Sequence, residues 1–140
     1  MRYVLDTNVF VLAFGSAPPV KTEDLLALVV ERAEDCELIT GREILTEVRR
    51  NLTPEALRRC WELLRALAVV PVEAWQIPFD LGDKYLEHGL KAGDAAIAAL
   101  TEWAEADYLV TENRDFMDRS LLPFRVVRIA EFLTVLRQKA

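Results

Sequence analysis

Short apolar runs rich in β-branched residues recur along this chain, with longer stretches of helical patterning between them. The runs are Tyr3-Val4-Leu5, Glu37-Leu38-Ile39-Thr40, Ala68-Val69-Val70-Pro71, Tyr108-Leu109-Val110-Thr111 and Arg125-Val126-Val127-Arg128. None alternates cleanly between apolar and polar, which suits strands buried on both faces of a parallel sheet. The helical patterns fall near residues 8–14, 21–34, 41–52, 54–67, 80–88, 94–106 and 130–139. Pro54 behind Thr53 reads as a first-turn proline after an N-cap and separates two consecutive helices. Gly41 and Gly93 each sit at a helix start. Strand–helix alternation of this kind predicts a doubly wound α/β domain of about five strands. No internal repeat, low-complexity tract or linker interrupts residues 1–140, so one domain is expected.

The composition agrees with a packed globule. Of 140 residues, 52% are hydrophobic and 29% charged, which argues against disorder. Cys36 and Cys60 form no CxxC motif and no disulfide framework, so reduced thiols in a cytoplasmic protein are expected. The opening residues lack a long apolar segment, and a signal peptide is not expected. The longest uncharged stretch, 14 residues from Thr7 to Val20, contains Pro18 and Pro19 and is too short to span a bilayer.

Charge changes the picture more. The formal net charge of −6 disfavours a domain that holds nucleic acid through a broad basic face, but it leaves room for clustered carboxylates holding divalent cations. The positives are uneven. Residues 41–66 carry six arginines against four glutamates, a surplus of two, which leaves −8 for the rest of the chain.

Several chemistries have no residues to support them. Neither GxxxxGK[ST] nor GxGxxG is present, and the five glycines do not cluster. The single histidine, His88, follows Glu87 and precedes Gly89, as a solvated or C-capping residue would. There is no GxSxG for a serine hydrolase and no short Cys/His spacing for zinc. Hard oxygen ligands remain in quantity, and they favour Mg²⁺ or Mn²⁺.

Doubly wound sheets bind ligands beyond the carboxyl ends of their strands. The residues there are Asp6-Thr7-Asn8, Gly41-Arg42-Glu43 and Thr111-Glu112-Asn113-Arg114-Asp115. Each candidate carboxylate has a structural reading beside the functional one. Asp6 and Asp94 are good N-caps for the helices they precede, and Asp115 and Asn113 suit turn chemistry. Glu47 lies at the flank of the apolar stripe formed by Ile44, Leu45, Val48 and Leu52, where it can look into a cleft or pair with Arg50. Glu43 lies further round the helix, so the face argument prefers Glu47.

Together, Leu5-Asp6-Thr7-Asn8, Ile44-Leu45-Thr46-Glu47-Val48, Gly93-Asp94-Ala95-Ala96-Ile97-Ala98-Ala99 and Val110-Thr111-Glu112-Asn113-Arg114-Asp115-Phe116 fall in the order of a known family. The chain resembles PIN-domain proteins and is similar to the VapC-type toxins of prokaryotic toxin–antitoxin pairs. The resemblance runs from the Asp-Thr-Asn opening to the last strand and helix. It implies a three-layer α/β/α sandwich around a parallel sheet and a metal-dependent ribonuclease site. The family's acidic positions carry over onto Asp6, Glu47, Asp94 and Asp115, with Mg²⁺ or Mn²⁺ as cofactor. Asp6 and Asp94 are expected as primary metal ligands, while Glu47 and Asp115 complete the shell or orient the attacking water. Asn8 and Thr111 match the usual polar supporting positions. Asn113 departs from the pattern, because many members carry a second Asp there.

The resemblance further implies an RNA substrate, a small antitoxin partner and a homodimer. Arg49, Arg50, Arg58 and Arg59 are candidate contacts to RNA or to a partner, with a solvated helix face as the alternative. The competing reading of the whole chain is a PIN fold that no longer cuts and serves for binding or scaffolding. A haloacid-dehalogenase-type phosphatase would want Asp-x-Asp-x-Thr after the first strand, which Asp6-Thr7-Asn8-Val9-Phe10 does not supply.

Overall fold

The computed structural model describes residues 1–116 and 122–138. Five strands form one sheet: β1 (Arg2–Leu5), β2 (Glu37–Gly41), β3 (Ala68–Val72), β4 (Tyr108–Val110) and β5 (Arg125–Val127). Among them run seven α-helices: α1 (Thr7–Phe14), α2 (Val20–Glu31), α3 (Arg42–Asn51), α4 (Pro54–Arg65), α5 (Phe79–Glu87), α6 (Ala92–Trp103) and α7 (Ile129–Gln138). Each matches an expected segment within a few residues; position 139 of the last expected helix lies outside the described residues.

All pairings are parallel and the strand order is β3-β2-β1-β4-β5. The chain winds outward from β1 through β2 to β3, then returns to the other side of β1 as β4. The order therefore reverses between β1 and β4, the place where doubly wound folds open a crevice. The central strands explain the absence of alternation in the sequence. Tyr3, Val4 and Leu5 of β1, Leu38 and Ile39 of β2, and Leu109 and Val110 of β4 are all buried, since helices cover both faces. Pro71, which cannot donate to a ladder, sits in the edge strand β3. The result is a three-layer α/β/α sandwich.

Local signals in the sequence set the helix ends. Thr53 accepts from the Ala56 N–H and Pro54 opens α4, and Asp6 caps α1 by accepting from the Thr7 N–H at 2.7 Å. His88 caps the end of α5. Helix α6 differs from expectation. It begins at Ala92 with Lys91 as N-cap, so Asp94 lies inside its first turn and is not the cap. A carboxylate there still faces the positive end of the helix dipole. Gly41, at the β2–α3 junction, passes close to α6: a Cβ on it would meet a Leu100 methyl at 3.1 Å. Both cysteines are buried, and neither is in a disulfide.

Candidate active site

The reversal between β1 and β4 brings two loop starts together. The Asp6 N–H donates to the Val110 carbonyl at 2.9 Å and the Thr111 N–H to the Val127 carbonyl at 3.0 Å, so the sheet ladder itself fixes Asp6 beside Thr111. The Thr111 hydroxyl then donates to Asp6 Oδ2 at 2.7 Å. It also accepts from the Asn113 N–H at 2.9 Å and from Asn8 Nδ2 at 3.4 Å. Asn8 Oδ1 accepts from the Glu112 N–H at 3.3 Å, tying α1 to the β4 loop. Asn113 links the remaining acids: its Nδ2 donates to Asp94 Oδ1 at 3.2 Å and its Oδ1 accepts from the Asp115 N–H at 3.0 Å.

These residues open onto a cleft of about 850 Å³ whose lining includes Asp6, Asn8, Glu43, Glu47, Asp94 and Asn113. Lys91, Asn51 and Glu112 also border it. Among the described residues its titratable lining is five carboxylates against one ammonium. Asp6 is only 4% exposed, and its hydrogen-bond partners among the described residues are all neutral. Burial pushes its carboxyl above the ordinary range; the hydrogen bonds from Thr111 and Thr7 oppose this, and the nearby Asp94 charge adds to it. Asp94 is raised as well, first by burial and then by the Asp115 charge, against the Asn113 hydrogen bond and the Lys91 charge. Beside Asp6 the Thr7 hydroxyl is buried, with no hydrogen-bond partner among the described residues.

Glu47 lines the cleft, but its carboxylate is turned to Arg50 at 3.1 Å. Glu43 lines it too, lying over Gly93 at the start of α6. Asp115 stands behind Asn113, outside the cleft lining but close enough for its charge to act on Asp94. Among the described residues, no three His, Cys, Asp or Glu side chains stand close enough to hold one metal ion together. Asp6 and Asp94 are the pair that fits a hard divalent cation, because both are desolvated oxygen donors whose charges disfavour one another.

The arginines separate. Arg58 pairs with Glu55 at 2.6 Å and Glu62 at 3.0 Å, and Arg50 with Glu47. Arg59 is exposed on α4, and Arg49 lines a different groove on the far side of α3.

Comparison with known proteins bears on this geometry. The PIN domain family matches residues 3–120. This chain belongs to the PIN domain family. No curated protein matches it. Among solved structures, the chain is similar to VapBC2 from Rickettsia felis bound to a DNA fragment from their promoter, at TM-score 0.67 and 19% identity, over 91% of this chain and 98% of that one. PAE2754 from Pyrobaculum aerophilum aligns at TM-score 0.64 and 16% identity, over 99% and 97%. FitAcB from Neisseria gonorrhoeae aligns at TM-score 0.61 and 19% identity, over 91% and 98%. At these identities the likeness is one of fold.

Three cleft residues went unread in the sequence. Glu43 was set behind Glu47, although both reach the cleft. Lys91 was hidden because the helix start was placed at Asp94; with the true start, its three-residue spacing from Asp94 puts both at one helix end. Asn51, four residues beyond Glu47, follows from the same helical face.

Proposed function

We propose that this PIN domain is an Mg²⁺- or Mn²⁺-dependent endoribonuclease and the toxin of a toxin–antitoxin pair. The observation that carries the reading is Asp6 and Asp94 facing one cleft at the sheet reversal, both held above their ordinary range by burial. PIN domains are generally nucleases, and the fold neighbours include the toxin–antitoxin assemblies VapBC2 and FitAcB. Asp6 and Asp94 are the primary holders of the ion; Glu47 and Asp115 complete its shell or orient water. A divalent ion bound by these residues would neutralise charge developing on the phosphodiester and would acidify water.

The chain's own residues set the stage for this. Thr111, Asn8 and the Thr7 N–H fix the orientation of Asp6, and Asn113 fixes Asp94. The Glu47–Arg50 pair is exposed and worth about 0–1 kcal/mol, so it yields readily when Glu47 is needed elsewhere. Lys91, without an ion pair among the described residues, supplies the cleft's positive charge for an incoming phosphate.

The partners in this proposal are an RNA substrate, a small antitoxin and a second copy of the chain. An apolar groove of about 330 Å³ between α5 and α6 supports a protein interface: Phe79 on its rim is 94% exposed, and nearby Trp75 is 82% exposed. Among the described residues no helix is long and apolar enough to cross a membrane. We place the protein in the cytoplasm.

One observation favours a second reading, a PIN fold that binds without cutting: no three acidic side chains among the described residues converge on one point. Cleavage of RNA by wild type and by Asp6→Asn, with Mg²⁺ or Mn²⁺ added, decides between them. The nuclease reading expects metal-dependent cleavage that the variant loses. Equal rates refute the assignment of Asp6, and no cleavage with either metal favours the binding module.

A further inference from the structure

Helix α3 presents two polar flanks on either side of its buried Ile44–Val48 ridge. Glu43, Glu47 and Asn51, spaced four apart, look into the carboxylate cleft. On the opposite flank, Arg42, Thr46 and Arg49 line a second groove of about 390 Å³, bounded by Trp61 of α4 and by Pro71 and Glu73 at the end of β3. Both concavities border the groove between α5 and α6, which shares Arg42 with the one and Glu43 with the other.

The groove's charges are available. Neither Arg42 nor Arg49 has an ion pair among the described residues, whereas Arg50 and Arg58 on the same two helices do. Glu73 is the one carboxylate lining the groove among the described residues, set against two guanidinium groups; its backbone joins the 3₁₀ turn Ala74–Gln76, the Gln76 N–H donating to its carbonyl at 3.0 Å. Trp61 is half-buried, packed against the core on one side and lining the groove on the other. Two guanidinium groups that match phosphate geometry beside an indole that can stack are the elements of a single-stranded nucleic-acid platform. A base can stack on an indole only when it has left its own duplex stack.

We infer that the Arg42–Arg49–Trp61 groove holds unpaired nucleotides of the RNA whose adjoining phosphodiester lies in the carboxylate cleft. The inference rests on the nuclease reading for its substrate, and it makes that substrate single-stranded beside the scissile bond. It also narrows the expected arginine contacts to Arg49, joined by Arg42, because these two line the groove and Arg50, Arg58 and Arg59 do not.

The test uses the full chain carrying Asp94→Asn to prevent turnover. Binding of a fluorescein-labelled unpaired RNA and of a hairpin stem is followed by anisotropy over a range of salt. Removing two phosphate contacts with Arg42→Gln plus Arg49→Gln should lower the salt slope for unpaired RNA by about 1.4, at about 0.7 per contact. Trp61→Leu should weaken unpaired RNA about fivefold or more, while Trp61→Phe retains most of the affinity and the stem is unaffected. Circular dichroism of each variant excludes unfolding as the cause. An unchanged salt slope overturns the inference. So does equal weakening of unpaired and stem RNA, or arginine dependence without Trp61 dependence, which would fit an acidic polypeptide instead. Cleavage by the parent sequence is measured alongside. If it cuts RNA and the groove variants leave its KM unchanged, the groove is wrong and the nuclease reading stands. If it does not cut, yet the variants lose unpaired RNA as described, the nuclease reading falls and the groove stands.

Discussion

Replacing Asp6 with asparagine should stabilise the metal-free protein and abolish its response to metal. Asp6 is 4% exposed, accepts from the Thr7 N–H and the Thr111 hydroxyl, and has no cationic partner among the described residues. Its carboxyl is raised in the fold by burial, which outweighs those two bonds, with a further push from Asp94. A raised carboxyl stabilises the fold fully below its unfolded value of about 3.9, and that stability is lost as pH rises through the folded value. Each pH unit between the two values is worth about 1.4 kcal/mol. Asparagine caps a helix as well as aspartate and keeps the Thr7 contact, but its amide would donate where the second oxygen accepted, so the losses are the Thr111 hydrogen bond, about 0.5–1.5 kcal/mol, and the charge–dipole attraction at α1, about 0.3–1 kcal/mol. Above the folded value the relief of the buried charge opposes these losses, and burial, the largest influence on Asp6, sets the expected direction. We expect Asp6→Asn in chelator at neutral pH to melt at a higher temperature than wild type. The advantage should vanish as pH falls toward about 4. With Mn²⁺ at about 100 times its Kd the wild type gains about 2.7 kcal/mol and the order inverts. Thermal melts in EDTA and in Mn²⁺ across pH read both effects. A variant that is less stable in EDTA at every pH, or that gains as much from Mn²⁺ as wild type, refutes the reasoning.

Three further outcomes follow from the same geometry. Asn113→Asp exchanges a donor to Asp94 Oδ1 for a like charge, so it should lower stability in chelator by about 1 kcal/mol and widen the Tm gain from Mn²⁺; melts with a gain equal to wild type's would contradict this. Arg50→Ala breaks an exposed pair, and should change stability by less than about 1 kcal/mol while leaving calorimetric Mn²⁺ affinity the same or tighter, because Glu47 is released; a tenfold weaker affinity would count against Glu47 as a ligand. Phe79→Asp should leave folding within about 0.5 kcal/mol and convert a dimer to a monomer by light scattering, given 94% exposure of that ring; a persistent dimer would move the interface elsewhere.

The fold was legible because its signals are local and periodic. Uninterrupted apolar runs such as Val4-Leu5 and Leu38-Ile39 could only be strands covered on both faces, and Thr53-Pro54 marked a helix start without ambiguity. Asp6 showed its dual character as cap and cleft residue, since a position ending the central strand fixes both roles. Less was visible where long-range contacts decide. The start of α6 was misplaced because Asp94 is as good a cap in sequence as Lys91 is a poor one. The bond from Asn113 to Asp94 spans 19 positions and has no periodic trace, so a residue that looked like a lost carboxylate proves to be a neutral donor holding one in place. The division of α3 into an acidic and a basic flank is readable from 100° spacing once the buried ridge is known, but the ion pairs that occupy Arg50 and Arg58 depend on side-chain reach.

A crystal soaked in Mn²⁺ and measured for anomalous scattering addresses the two-aspartate site most directly. The account predicts a peak bonded to both Asp6 and Asp94, with Glu47 swung away from Arg50 toward it. A saturated crystal with no peak there, or with manganese bound only at other carboxylates, would contradict it.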